Sequence, residues 1–346
     1  MHYLNAYLCS IEFNEIQNPM KRVLFILFCF TTLVQAQIPT NKREVMQQFL
    51  SGTLDESYVP AAFFMHFGKD ARTGEKAIDA HLRYFLSTGM DFVKIQFEQG
   101  YGRIRIEKPE DWELIKPLPS DFFTPTLEII KYIYDIAGAN AMILPTVYSP
   151  LQMLIQSVGD KTVIAYAKTE PERVKKALEY FTKALIGYVK ACKKIGVDGF
   201  YTPTQGGEIK FYEVPGFFET FVKPYDIRVM QECNTQTQFN ILHICDYEGK
   251  YDDLTRFVSY PGQIINAPCE VADQPFSLQA CEQLFKRPAM GGLYRKGAIA
   301  KEIYELKKTL KGKRFILGAD CTILPQTPMD NIRTAIKTSH HTCNIE

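Results

Sequence analysis

The feature that most constrains this chain is an alternation, repeated along almost its whole length, between short β-branched or aromatic runs and longer helical stretches. The runs are "AAFFMHFG" (Ala61 to Gly68), "DFVKIQF" (Asp91 to Phe97), "AMILPTV" (Ala141 to Val147), "DGFYTPT", "FNILHIC", "QIINAP", "AMGGL" and "RFILGAD". Between them fall a helix around Lys76 to Thr88, the segment "TPTLEIIKYIYDIA", and a helix from about Phe217 to Thr235. The strongest helical signal is "PERVKKALEYFTKALIGYVKACKKIG". Pro171 suits its first turn, Gly196 its stop, and Val174, Leu178, Phe181, Leu185 and Val189 recur every three or four positions. Eight candidate strands alternating with helices predict an α/β fold, a single (β/α)8 TIM barrel. A doubly wound sheet shows the same alternation with fewer strands, and the glycine-rich dinucleotide fingerprint it often carries is absent.

With 346 residues, 46% of them hydrophobic and 23% charged, the chain can bury one large core, expected over residues 38–346. A net charge of +1 and the lack of a long basic block give no electrostatic reason to expect nucleic acid or an anionic membrane as partner. Residues 1–37 read differently. "MKRVLFILFCFTTLVQAQ" places Lys21 and Arg22 before an apolar stretch and a small-residue site at Val34-Gln35-Ala36, the pattern of a secretory signal peptide. The apolar core, Val23 to Val34, falls short of the ~20 residues of a permanent span. Export is therefore expected, with a retained cytoplasmic chain as the alternative, and residues 1–19 are read as an upstream start assigned too early. Phe28 before Cys29 argues against lipid modification. The cysteines beyond Cys29, namely Cys192, Cys233, Cys245, Cys269, Cys281, Cys321 and Cys343, are odd in number and scattered, which suits free thiols or ligands better than a disulfide framework. Free thiols and export pull against each other.

"LHICDYEGKYDDL" puts His243 and Cys245 two positions apart at the end of the fifth candidate strand. Strand side chains alternate with period two, so both groups aim the same way. The eighth run leads into Cys321, and strand ends of a barrel gather at one face. A His/Cys/Cys set with an open fourth position is the pattern of a catalytic zinc site. Cysteines also fill cores, and spacing alone leaves the two readings level.

"LHICD" together with "LGADCTILPQTPMDNIRTAI" resembles the zinc site of the cobamide-dependent methyltransferases, a branch of the uroporphyrinogen decarboxylase superfamily of (β/α)8 barrels. The resemblance runs over most of residues 45–337, including "YSPLQMLIQSVGD" and "RPAMGGLYRKGA". It implies one Zn2+ held by His243, Cys245 and Cys321, a thiol activated at the open position, and a corrinoid or corrinoid protein as methyl donor or acceptor. The decarboxylase branch fits less well. Its Met-Arg-Gln-Ala-Gly-Arg stretch, suited to carboxylate capture, is here "MHFGKD", with His66 at the leading arginine and only Lys69 and Arg72 nearby. Its aspartate after the second strand corresponds to Glu98, the candidate catalytic carboxylate, and a histidine of the decarboxylases lies close to Cys321.

By position at strand ends, Tyr148, Gln205, Glu208 and Arg295 are candidate substrate contacts, though each also suits a solvated loop. Asp246 and Glu248 either orient the ligands or face water. His81 falls in helical sequence and His340 with His341 in an expected tail, so none is read as a ligand. Three functions remain: a zinc-dependent methyltransferase, a tetrapyrrole decarboxylase needing no metal, and an exported non-catalytic barrel that binds a small molecule or corrinoid.

Overall fold

The computed structural model describes residues 41–293 and 300–340. The expected signal peptide, Arg295, His341 and Cys343 lie outside the described residues. Helix α1 (Lys42–Ser51) comes first, then α2 (Gly74–Thr88) and β1 (Phe92–Ile95). Next are α3 (Thr124–Ala137), β2 (Met142–Pro145), α4 (Pro150–Val158), α5 (Asp160–Thr169) and α6 (Pro171–Ile195). Strand β3 (Tyr201–Thr204) leads through a π-helical turn (Phe218–Val222) to α7 (Lys223–Asn234) and β4 (Ile241–Ile244). After β5 (Ile264–Asn266) come a two-stranded hairpin, β6 (Glu270–Val271) and β7 (Gln274–Pro275), and α8 (Leu278–Phe285). The described chain ends with β8 (Ala289–Leu293), α9 (Ala300–Thr309), β9 (Phe315–Ala319) and α10 (Met329–His340).

The central strands are parallel, as the alternation requires. β1 pairs β2, and a second sheet has the order β3-β4-β5-β8-β9. A bridge between Thr146 and Tyr201 joins the two sheets, and another joins Ala61 to Leu317 of β9. Asp91 N–H donates to Ala61 O at 3.0 Å, so the segment before α2 touches both β9 and β1. Only Ala61 of the expected first strand forms a bridge. The chain then leaves the ladder, and its side chains at 66 and 72 turn to Glu98.

Helices cover the outside with their apolar faces inward. In α6, Val174, Leu178, Phe181, Leu185 and Val189 are all buried, and Gly196 at φ 103° ends the helix in the left-handed conformation that glycine adopts freely. Arg43 clamps Asp198 with two hydrogen bonds, at 2.6 and 2.9 Å, fixing α1 against the start of β3. On the same end of the strands, the buried carboxylate of Asp91 collects Lys42 Nζ at 2.9 Å, Tyr58 Oη at 2.6 Å and His340 Nε2 at 2.7 Å. His340 also stacks on Tyr58 at 4.4 Å. The expectation of a tail is thus corrected at His340, which ends α10 inside a polar cluster. Among the described residues no helix is long and apolar enough to cross a membrane.

Candidate metal centre

The carboxyl ends of the strands open into a cavity of about 410 Å³. His243, on β4, is 3% exposed, and its Nδ1 lies 3.3 Å from the Asn266 carbonyl oxygen. A proton kept on Nδ1 by that carbonyl leaves Nε2 as the lone-pair nitrogen. Asn266 is itself fixed by Tyr201 Oη, which donates to its Oδ1 at 2.7 Å, and by Nδ2 bonds of 3.0 Å to the carbonyls of Met290 and Ala319. One asparagine therefore ties β3, β5, β8 and β9 around the imidazole, and the Tyr201 ring lies 5.2 Å from it.

Cys245 follows β4, where its N–H extends the ladder to Thr204 O at 3.1 Å and its carbonyl accepts from Tyr251 Oη at 3.0 Å. Cys321 follows β9, with its N–H held by Asp320 Oδ1 at 2.9 Å. The two Sγ atoms are 3.9 Å apart, and one ligand atom from each of His243, Cys245 and Cys321 falls within 4.8 Å of the others. Contact with Cys321, and then burial, push the Cys245 thiol well above its ordinary range. A cation between the sulfurs reverses that preference by favouring both thiolates. The donor set fits zinc: sulfurs each ~2.3 Å from a tetrahedral ion stand ~3.8 Å apart.

The same cavity is lined by Glu98, whose Oε1 is 2.8 Å from His66 Nδ1 and whose Oε2 is 3.4 Å from Arg72 Nε. Tyr148 and Gln205 line the same cavity, and Glu248 stands at its exposed rim. Burial, with the nearby Glu98, holds the Tyr148 hydroxyl strongly to its proton. Gly206, at φ 93°, turns the chain after β3 so that Gln205 faces inward; a Cβ there would lie 2.5 Å from Leu151 and Val222 side chains. Glu208 is placed differently from the substrate contact expected of it. It is 1% exposed, lies outside the cavity wall and accepts from the Gly206 N–H, because the turn folds its carboxylate back under the strand end. Burial raises its pKa to about 7, against the hydrogen bonds that lower it. Asp246 is half-buried next to Cys245. His81 sits within α2 and accepts from Gln96 N–H at 3.0 Å through Nε2, with burial lowering its pKa to about 4.

Sequence reasoning missed Asn266, Tyr201 and Lys94. Lys94 is 7% exposed and lines the cavity beneath Tyr201. The signal was available: in "DFVKIQF", Lys94 and Gln96 alternate with Val93, Ile95 and Phe97, so the polar pair shares the inward face.

A parallel α/β fold with an imidazole and two thiols converging where its strands end is the architecture of a barrel-type enzyme with its site at the carboxyl face. The family model described as Uroporphyrinogen decarboxylase (URO-D) matches residues 86–274, and the chain belongs to that family. A curated relative, "Uroporphyrinogen decarboxylase" of Campylobacter curvus (strain 525.92), is 25% identical over 271 residues, covering 71% of this chain and 77% of the relative. Among solved structures, a methyltransferase from Methanosarcina mazei superposes with a TM-score of 0.68 at 16% identity, over 86% of this chain and 98% of that one. A B12-independent methionine synthase from Shewanella sp. W3-18-1, in complex with selenomethionine, gives 0.56 at 14% identity, over 82% and 97%. These likenesses concern the fold.

Proposed function

We propose that the chain is a zinc-dependent methyltransferase-type enzyme of this family, built on a closed (β/α)8 barrel, that activates a small thiol and exchanges methyl with a corrinoid. The observation that carries the reading is the convergence of His243, Cys245 and Cys321 ligand atoms within 4.8 Å at the floor of a cavity. A bound zinc ion would lower the proton affinity of a thiol entering its fourth position. The protein's own groups do the rest. Asn266 holds the His243 ring in register, Asp320 and Tyr251 fix the backbone at the two cysteines, and the Tyr148 and Gln205 side chains bound the space a substrate fills. A cavity of about 410 Å³ suits a small thiol. A corrinoid, free or protein-borne, is then met at the mouth, where Tyr247 is 63% exposed.

Tetrapyrrole decarboxylation is the competing reading, favoured by the name of the curated relative and by a carboxylate at Glu98. Zinc analysis of the purified protein, followed by methylation of 2-mercaptoethanol from a methylcorrinoid, separates the two. One zinc per chain with thioether formation supports the proposal. A metal-free protein that converts uroporphyrinogen sinks it.

A further inference from the structure

Lys94 has no carboxylate partner among the described residues, although Arg72 and the His66 imidazole, which line the same cavity, both turn to Glu98. Its ammonium lies 4.7 Å from the Tyr201 ring centroid and 5.1 Å from that of Phe64. Its one hydrogen bond with a described residue goes to Gln96 Oε1 at 2.7 Å, and Gln96 is fixed in turn by donating to Met65 O at 2.6 Å. An ammonium has three donors, so this arrangement holds the group in place and leaves donors unspent. Burying a charge with so little compensation is costly unless an anion completes the site.

The titratable groups around Lys94 indicate where that anion goes. Burial lowers its pKa to about 8, while Cys321, Glu98 and Cys245 act in the opposite direction. Tyr201 lies against it, and His81 is close behind. Glu98 is already shared by His66 and Arg72, which leaves the sulfur side of the cavity. A divalent cation with two cysteine thiolates and a neutral imidazole carries no net charge. A third sulfur anion would then bring one uncompensated negative charge into a desolvated space.

We propose that Lys94 is the counter-ion for the substrate: its ammonium binds the anionic sulfur left when a small thiol entering the open cavity releases its proton to solvent water, Lys94 itself staying protonated throughout. The inference rests on the thiol-activating reading above and names the residue that makes anion uptake favourable there. The cation–π contacts with Tyr201 and Phe64 hold the charge without neutralising it, as a carboxylate partner would. The Tyr201 ring touches both Lys94 and His243, so the counter-ion and the imidazole share one support.

The test is calorimetric binding of 2-mercaptoethanol and of 3-mercaptopropionate to zinc-loaded protein between about pH 6 and pH 9, alongside Lys94→Met, Lys94→Gln and Lys94→Arg. Circular dichroism and zinc stoichiometry check each variant for folding and metal loading. Both neutral variants are expected to keep one zinc, bind 2-mercaptoethanol about tenfold to a hundredfold more weakly near neutral pH, and move uptake to higher pH. Lys94→Arg should recover part of the loss. Equal affinity and pH profile in wild type and neutral variants would overturn the proposal while leaving thiol activation intact. A loss confined to 3-mercaptopropionate also overturns it, because Lys94 would then serve a substrate carboxylate. Wild-type protein that takes up zinc but no thiol, or no zinc at all, removes the thiol-activating reading itself.

Discussion

Cys245 and Cys321 are separated by 76 positions in the chain, yet their sulfurs lie 3.9 Å apart. Neither helix nor loop proximity produces that approach. Cys245 continues β4 and Cys321 continues β9, and the parallel order β3-β4-β5-β8-β9 aligns both strand ends on one side.

Loss of one sulfur should therefore dismantle the centre. Cys321→Ala is expected to retain under a tenth of the wild-type zinc after dialysis, whereas Cys281→Ala, in α8, keeps about one ion per chain and loses about 1 kcal/mol of stability from a truncated core side chain. Equal zinc in wild type and Cys321→Ala would identify His243 and Cys245 as strand-end packing.

Asp91 supplies a test of the fold that leaves the cavity alone. Its burial favours the neutral acid, but His340, Lys42 and Tyr58 outweigh that and hold its pKa down to about 2. An unfolded aspartate titrates at about 3.9, so the stabilisation is fully present above about pH 4 and is lost as pH falls through about 2. Asp91→Asn should cost about 3 kcal/mol near neutral pH and flatten the stability curve across that acid window, read from urea midpoints at successive pH values. An unchanged midpoint near pH 7 would show that the cluster contributes nothing.

Uroporphyrinogen should not be decarboxylated at a useful rate. His66 occupies the position expected of an arginine and is engaged with Glu98 at 2.8 Å, while Arg72 Nε donates to Phe67 O at 3.0 Å. Arg72 is the one arginine among the cavity's described lining residues, and it already faces Glu98 at 3.4 Å rather than standing ready for a substrate carboxylate. Steady formation of coproporphyrinogen by metal-free enzyme would reverse the assignment, and Glu98→Gln should then abolish it by removing the charge that steadies a protonated pyrrole.

Export remains a proposal drawn from residues 20–37. N-terminal sequencing of protein from its native cells should find a chain starting near Gln37; an intact cytoplasmic chain would place the thiols in a reducing environment and remove their conflict with secretion.

Seven of the eight expected strands were legible because each is a short apolar run bounded by helical sequence, while the first contributes only the bridge at Ala61; the approach of His243 and Cys245 was legible because period two aims them together. The hairpin β6–β7 was not. Its turn places Ala272 at φ 52° and Asp273 at φ 56°, and no glycine or asparagine marks either left-handed position. Glu208 was misplaced because a turn residue's direction depends on the φ of Gly206, which composition does not reveal. His340 was read as tail because its partner Asp91 lies 249 positions away, beyond any local pattern. Lys94 was not singled out in the sequence, though its alternation with Val93 and Ile95 carried the signal.

The Asp91 cluster also sets an order of events during synthesis. Lys42 and Tyr58 emerge from the ribosome early, but His340 appears only after nearly every other described residue. Until then the carboxylate lacks one of its partners and the ladder contact between Ala61 and Leu317 has only just become available. Closing the Asp91 cluster, and with it the packing of the last described helix against the segment around Ala61, is thus a long-range step that can come only after most of the described chain has been made.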